Sequence, residues 1–420
     1  MARAAGRRAL TRLPSAAVTT VLFVGAGRHQ RRAIEQARAR GLQVGAVDRN
    51  ADAPGLAAAD VAEVVDFMDV SAVVEVARRI GVDGVLTVSA DRAVPVVAAV
   101  AEELGLPGIG AETAHLLTHK RAMRDALGAA DLPQPRYASL RSTADVDAAL
   151  DKVTFPAVLK PVDSGGQRAI FRIESREELE RDLAEAIAES PTDEALVEEF
   201  VDGIELNGIV IARVGEPALI TLSDRLRPPG IGFGVGWIHV YPPSIPPEQL
   251  RLAGQVAVES VRALGLTDAI AFPQLIASPD GGFAVVDVAA RIPGGQMADL
   301  VRHAVGVDLV EVALLQALAE YVPDDLALPR FAQPLAIRFF TAEPGPLPTG
   351  RVTRIGELDT VLASEGVVQA DTYLQIGETI RPVRRDGDRR GYVIAIADTS
   401  EEALRRAEAA ATRLHVEVAR

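Results

Sequence analysis

The sequence predicts a multidomain chain, α/β at its N-terminal end and α+β beyond it. Three observations predict this. Residues 18–110 alternate apolar strand-like runs with helical stretches, the pattern of a parallel sheet with helices on its faces. The stretch Ala271 to Met297, AFPQLIASPDGGFAVVDVAARIPGGQM, reads as two strands joined by the turn Ser278–Gly282. Residues 331–420 hold short strands with Gly/Pro turns and a final helix behind the cap Thr399-Ser400-Glu401-Glu402. At 420 residues there is room for about two to four domains of roughly 100–200 residues.

The first region runs from 18 to 115. VTTVLFVGAG is a strand ending in glycines, Arg28 to Arg40 a helix closed by Gly41, and LQVGAVDRN a second strand ending at Asp48. A helix over Ser71–Ile80, a strand in GVDGVLTVSA and a helix over Val94–Leu104 follow. Gly25-Ala26-Gly27 with Asp48 downstream matches part of a dinucleotide-binding pattern. Gln30 stands where the third glycine belongs, and a plain strand-to-helix turn accounts for the pair equally well.

The second region, 116–330, divides into 116–195 and 196–330. HLLTHKRAMRDALGAA reads as one helix, stopped by Asp131-Leu132-Pro133-Gln134-Pro135. Pro156–Pro161 is a strand with Lys160 among apolar residues. A buried ammonium needs an anion or a route to water. Behind it lies the loop Asp163-Ser164-Gly165-Gly166-Gln167-Arg168, whose backbone amides can approach phosphates. It lacks the ending of a P-loop, and a hairpin turn with a snorkelling lysine is the bland alternative. A strand then ends at Glu198-Glu199-Phe200-Val201, and Glu205 opens the next one. Two such acids suit an adenine amino group and a ribose, or two solvated hairpin charges. Arg225, Arg227 and a Gly/Pro-rich loop over 228–243 follow, with the only tryptophan, Trp237, and His239 as a candidate substrate contact. Residues 249–266 read as a helix, and Met297–Leu318 as another. A Pro-punctuated link leads to the third region, 331–420.

Composition narrows the function. A net charge of −14 argues against nucleic acid as the main partner. The absence of cysteine removes disulfides, thiolate zinc sites and a cysteine nucleophile. No run reaches the roughly 18 apolar residues of a membrane span. The first 17 residues carry four arginines and no acid, and read as a flexible basic tail. No apolar run of about 7–15 residues follows the charges, as a secretory signal requires. The expectation is a cytoplasmic globular protein.

On the hairpin, Gln274 lies on the first strand and Asp287 on the second, with Ala289 and Arg291 at even spacing beyond it. An amide oxygen, a carboxylate and a guanidinium converging on one spot suit a metal-bound polyphosphate. A plain hairpin with one solvated acid is the alternative.

Lys120, Lys160 with its glycine loop, Glu198/Glu205 and then Gln274/Asp287/Arg291 occur in an order that resembles the ATP-grasp superfamily. The resemblance covers roughly residues 18–330, with 18–115 similar to the pre-ATP-grasp domain. AIRFFTAEPG and RRGYVIAIADTSEEALRRA are similar to the C-terminal domain of L-amino acid ligases, a branch that also resembles the carbamoyl-phosphate synthase large chain and purine-pathway enzymes. The resemblance implies an ATP-grasp fold behind a Rossmann-like N-terminal domain. It implies ATP and Mg²⁺, with Mn²⁺ as the alternative ion. Lys120 and Lys160 would contact the phosphates, and Ser164, Gly165 and Gly166 would close over them. Glu198 would receive the adenine amino group, Val201 would meet the ring edge through its backbone, and Glu205 would hold the ribose. Gln274 and Asp287 would bind the metal, and Arg291 would stabilise the transferred phosphoryl group. Gly294, Gly295 and Gln296 would line the carboxylate pocket, near Arg225 and His239. The family usually has glutamate at Asp287, often asparagine at Ala289, and commonly glutamate at Gln274, so the metal site is thinner than usual.

These features lead to an ATP-dependent carboxylate–amine ligase working through an acyl phosphate, with small carboxylates and amines as partners and a homodimer as the family's common state. One alternative is a nucleotide-binding protein of the same fold with little ligase activity. Others are a purine-pathway or natural-product enzyme and, from the glycine pair, a nicotinamide dehydrogenase. Of the candidate lids, one is the glycine loop and the other the 228–243 loop.

Overall fold

The computed structural model describes residues 18–165, 168–229 and 234–419. The basic tail, Gly166 with Gln167, and residues 230–233 of the second candidate lid lie outside the described residues.

The N-terminal region is a parallel four-stranded sheet. Its spatial order is Val61–Val64, Gln43–Asp48, Thr20–Val24, Gly84–Leu86. The helices Arg28–Ala39, Val70–Ile80 and Val94–Leu104 cover it. Gly25 takes φ +94°, a conformation that glycine alone adopts without strain, and so turns the chain into the first helix. Asp48 Oδ2 accepts the Ala26 N–H at 2.9 Å and Oδ1 accepts that of Asn50 at 2.9 Å. The Gln30 side chain is buried and folds back over the glycines to donate to the Val88 carbonyl. Both features that suggested a dinucleotide site are thus engaged in the turn itself.

An antiparallel sheet of four strands follows, in the order Tyr137–Leu140, Ala195–Glu199, Ala157–Pro161, Phe171–Ile173. The centre of the molecule is an eight-stranded sheet. It runs Phe283–Ala289, Ala269–Ala277, Ile204–Arg213, Glu216–Leu226, Ile238–Tyr241, Leu335–Phe339, Gly391–Ile396, Val367–Thr372. Its last three strands belong to the C-terminal region, which therefore continues the central sheet and places its own loops at the same cleft. Thr379–Ile380, Gly350–Ile355 and Val416–Ala419 form a separate sheet there.

Two predicted helices are each two. The stretch 115–130 breaks between Ala111–Leu116 and Lys120–Ala129, because the His119 ring caps the second helix by accepting the Ala122 N–H at 3.3 Å. Met297–Leu318 breaks at Gly306, φ +80°, and Asp308 then caps Leu309–Ala317. One apolar core joins Phe23 and Ile34 of the first sheet to Leu300, Leu309 and Leu314 of those helices and to Ile337 of the central sheet. That continuity fixes the N-terminal region against the central hairpin.

Candidate active site

The hairpin is built as two antiparallel strands, with Gln274 opposite Asp287 on one side and opposite Asn207 on the other. Leu275 pairs with Val285 while Gln274 pairs with Asp287, so Val286 is an extra residue, a β-bulge. Bulges re-aim the side chains that follow them. Gln274 Nε2 donates to Asn207 Oδ1 at 3.1 Å, which leaves Gln274 Oε1 as the acceptor available to a ligand. Asn207 Nδ2 lies 3.3 Å from His239 Nδ1. Asn207 repeats the period-2 spacing from Glu205, a signal the sequence carried and its reading passed over.

A cavity of about 550 Å³ runs along this row. It brings together Lys120, Ser164, Gly165, Arg225, His239, Gln274, Asp287, Arg291, Gly294 and Gly295. Lys120 Nζ donates to the Ser164 carbonyl at 3.0 Å, which ties the helix start to the glycine loop. Gln296 lies outside the cleft, at the left-handed cap of Met297–Val305, and lines a neighbouring cavity of about 390 Å³. Val201 is half-buried on the turn before Ile204–Arg213.

Lys160 and Glu198 also lie outside this cavity, in a buried ionic triad. Lys160 Nζ is 2.7 Å from one carboxylate oxygen of Glu198, and Arg124 Nε is 2.7 Å from the other. Arg124 also donates to the carbonyls of Val285 at 2.9 Å and Val286 at 2.7 Å, on the hairpin that carries Asp287. Burial pushes the Glu198 carboxyl up, but Arg124 and Lys160 outweigh it and hold the group at about 2. Burial pulls the Lys160 ammonium below its usual range, against the pull of Glu198. Arg124 sits one turn beyond Lys120 on the apolar stripe of Met123 and Leu127, and an arginine there was the available signal for a buried partner.

Glu205 is clamped by Arg225, at 2.5 Å, and by Arg227. Burial raises its carboxyl, and the two arginines reverse that and hold it below the usual carboxylate range. His239 is 3% exposed and packs edge-on against Phe339, with ring centroids 5.5 Å apart. Burial first, then Arg389 and Arg225, keep its imidazole well below 6.5, so it is neutral. Arg389, from the C-terminal region, reaches the same cleft and donates to the Gly236 carbonyl at 3.1 Å. Built on Gly295, a Cβ would lie 3.2 Å from His239 Nε2 and 3.5 Å from Arg389 Nη1, so glycine keeps this corner open. Arg389 opens the stretch RRGYVIAIADTSEEALRRA, but nothing local shows that it reaches the cleft.

Arg291 is gripped from the N-terminal region. Asp91 Oδ1 accepts from Arg291 Nε at 2.7 Å and lies 2.5 Å from Nη2. Nη1 is buried with no hydrogen-bond partner among the described residues, at a cost of roughly 1–3 kcal/mol for such a group.

As a metal site the residues are few. No group of three or more His, Cys, Asp or Glu that could hold an ion occurs among the described residues. Asp287 offers one carboxylate, Gln274 one amide oxygen, and Ala289 none. Mg²⁺ accepts one or two protein carboxylates when phosphate oxygens and water complete its shell, so this pair fits an ion that arrives with a nucleotide.

Among the described residues, no helix is long and apolar enough to cross a membrane. Three family models match the chain: the ATP-grasp N-terminal domain over residues 34–108, the D-ala D-ala ligase C-terminus over 127–228, and the L-amino acid ligase C-terminal domain 2 over 338–419. The uncharacterized protein y4rH of Sinorhizobium fredii is 28% identical over 334 residues, which cover 76% of this chain and 65% of that protein. The D-alanine–D-alanine ligase of Desulforudis audaxviator is 30% identical over 233 residues, 49% of this chain and 73% of that enzyme. The crystal structure of an L-amino acid ligase from Bacillus licheniformis superposes with a TM-score of 0.82 at 23% identity, covering 96% of this chain and 99% of the other, and so shares the fold. The succession of these domains along one chain, around a cleft that gathers Lys120, Asp287 and Arg291, makes the protein a member of the ATP-grasp superfamily, with the C-terminal domain of its L-amino acid ligases.

Proposed function

We propose that the protein is an ATP-dependent carboxylate–amine ligase that activates a small carboxylate as an acyl phosphate and passes the acyl group to an amine, with amino acids as substrates. The observation that carries this is the convergence of Lys120, Asp287 and Arg291 on one cleft that also holds Arg225, Arg389 and neutral His239. The first group suits a transferring phosphoryl group, and the second a substrate carboxylate. Relatives that join amino acids support the same reading.

In this mechanism Val201 and Glu205 hold the nucleoside, and Glu198, both of whose carboxylate oxygens are taken by Lys160 and Arg124, braces the wall behind it instead of receiving the adenine amino group. Lys120 and the amides of Ser164–Gly166 take the phosphates. Asp287 and Gln274 would hold Mg²⁺, which when bound neutralises phosphate charge. A substrate carboxylate oxygen attacks the γ-phosphorus and ADP leaves. Arg291 steadies the charge on the moving phosphoryl oxygens. The amine then attacks the acyl carbon, phosphate departs, and the amine proton goes to solvent or phosphate. Gly294 and Gly295 leave room for the carboxylate beside Arg291. No side-chain nucleophile is needed, which suits a chain without cysteine. A phosphate-release screen with MgATP over pairs of amino acids and other carboxylates tests this: one pair at least should stimulate turnover, and a blank screen contradicts it.

A second reading rests on the sparse metal site, with Ala289 giving no oxygen and Asp287 standing as its single acid. It is a nucleotide-binding protein of this fold with little turnover. Tight ADP binding together with a blank screen favours it.

A further inference from the structure

Arg291 and Asp91 are 200 residues apart in sequence, yet Asp91 holds two of the three guanidinium nitrogens. The contact is built into the fold. Val88 bridges Ile292 in parallel, and the Ser89 N–H donates to the Ile292 carbonyl at 2.9 Å, one residue past the arginine. Ser89 takes φ +58° there, a left-handed conformation that a non-glycine residue adopts only under constraint, and the chain then enters the short turn Asp91–Ala93. So the N-terminal sheet is stitched to the backbone of the catalytic hairpin, and Asp91 is delivered beside Arg291. Gly165, at the start of the glycine loop, packs on the same acid: a Cβ built there would come within 3.3 Å of Asp91 Cβ.

We propose that Asp91 is the positioning residue of Arg291. By taking Nε and Nη2 it fixes the plane of the guanidinium and leaves Nη1, buried and without a partner, as the donor for an oxygen of the transferred phosphoryl group. A free arginine would sample many rotamers. This one is held in a single orientation, and the group left unpaired is the one the reaction uses. The N-terminal region then contributes to phosphoryl transfer without touching the nucleotide. The proposal rests on the ligase reading for what Arg291 meets, and on the structure for what holds Arg291.

The test compares two affinities on the full chain, MgADP alone and MgADP with fluoroaluminate, a planar mimic of the moving phosphoryl group. In Asp91→Asn, which keeps shape but loses charge, MgADP should bind as in wild type, which also shows that the variant is folded. The added affinity from fluoroaluminate should fall roughly 10–100-fold, the usual effect of removing an orienting partner. Asp91→Glu should recover part of it. In an Arg291→Lys background Asp91→Asn should cost little more, because both residues act through one contact. A wild-type fluoroaluminate gain in Asp91→Asn overturns the proposal. A wild-type protein that binds no MgADP at all overturns the nucleotide reading and the proposal with it.

Discussion

The two ends of the candidate site solve opposite problems. Around Glu198, enclosed by Lys160 and Arg124, and Glu205, enclosed by Arg225 and Arg227, charge is compensated within the protein. Along the hairpin, among the described residues, Asp287 and Gln274 have few side-chain partners, Gln274 meeting the amide of Asn207, and Arg291 keeps a nitrogen without a hydrogen bond. Buried charges with partners make a rigid wall, whereas charges left short of partners are where a ligand is able to supply what is missing. In the reading proposed above, the wall carries the structural load and the open end is free for chemistry.

Breaking the wall should have the largest effect. Arg124→Ala leaves Glu198 buried beside a single cation, and removal of one partner from such a cluster costs about 3–5 kcal/mol. Urea unfolding should show it as a lower midpoint, together with weaker ADP binding. The same wall has an acid limit. The Glu198 carboxyl is held at about 2 against a usual 4.5, so its contribution is full above 4.5 and is lost as pH falls through that window.

Breaking the open end should leave stability alone. Asp287→Ala should lower ligation on the order of 10²–10³-fold, the range for a group stabilising transition-state charge, while ATP still binds. Steady-state turnover beside a direct binding measurement separates the two. Parallel losses in both would place Asp287 in the wall instead.

A smaller effect sits between the ends. His239 is neutral in the fold because burial and two arginines oppose its charge. Its folded pKa is depressed, so the unfolded chain alone takes the proton below 6.5, and stability should fall by about 1.4 kcal/mol per pH unit below that point. His239→Asn should flatten this slope between pH 6.5 and 5 in urea titrations. The smallest effect is a control. Arg176, exposed and paired with Glu180 and Asp147, is replaceable by Ala without a detectable change in midpoint or turnover.

Sequence patterns reached the elements and fell short of the contacts between them. The hairpin was legible because period-2 alternation and a Pro-Asp-Gly-Gly turn are local signals. The bulge at Val286 was not, since one extra residue leaves the apolar pattern readable either way. The helix breaks at His119 and Gly306 were hidden because apolar periodicity runs through both. Lys160 announced that it needed an anion, and Glu198 that it was one, but their meeting depends on strand pairing across 38 residues of chain. Asp91 and Arg389 were out of reach for a similar reason. Asp91 is one charge in a short turn and Arg389 the first residue of the RRGYVIAIADT stretch, and the packing of the N-terminal and C-terminal regions against the central sheet brings both to the cleft.

The central claim, that the open end performs acyl phosphate chemistry, is met most directly by isotope transfer. With a carboxylate substrate labelled in both oxygens with ¹⁸O, MgATP and an amine, one label per turnover should appear in the released phosphate. Amide formed while the released phosphate carries no label would contradict it.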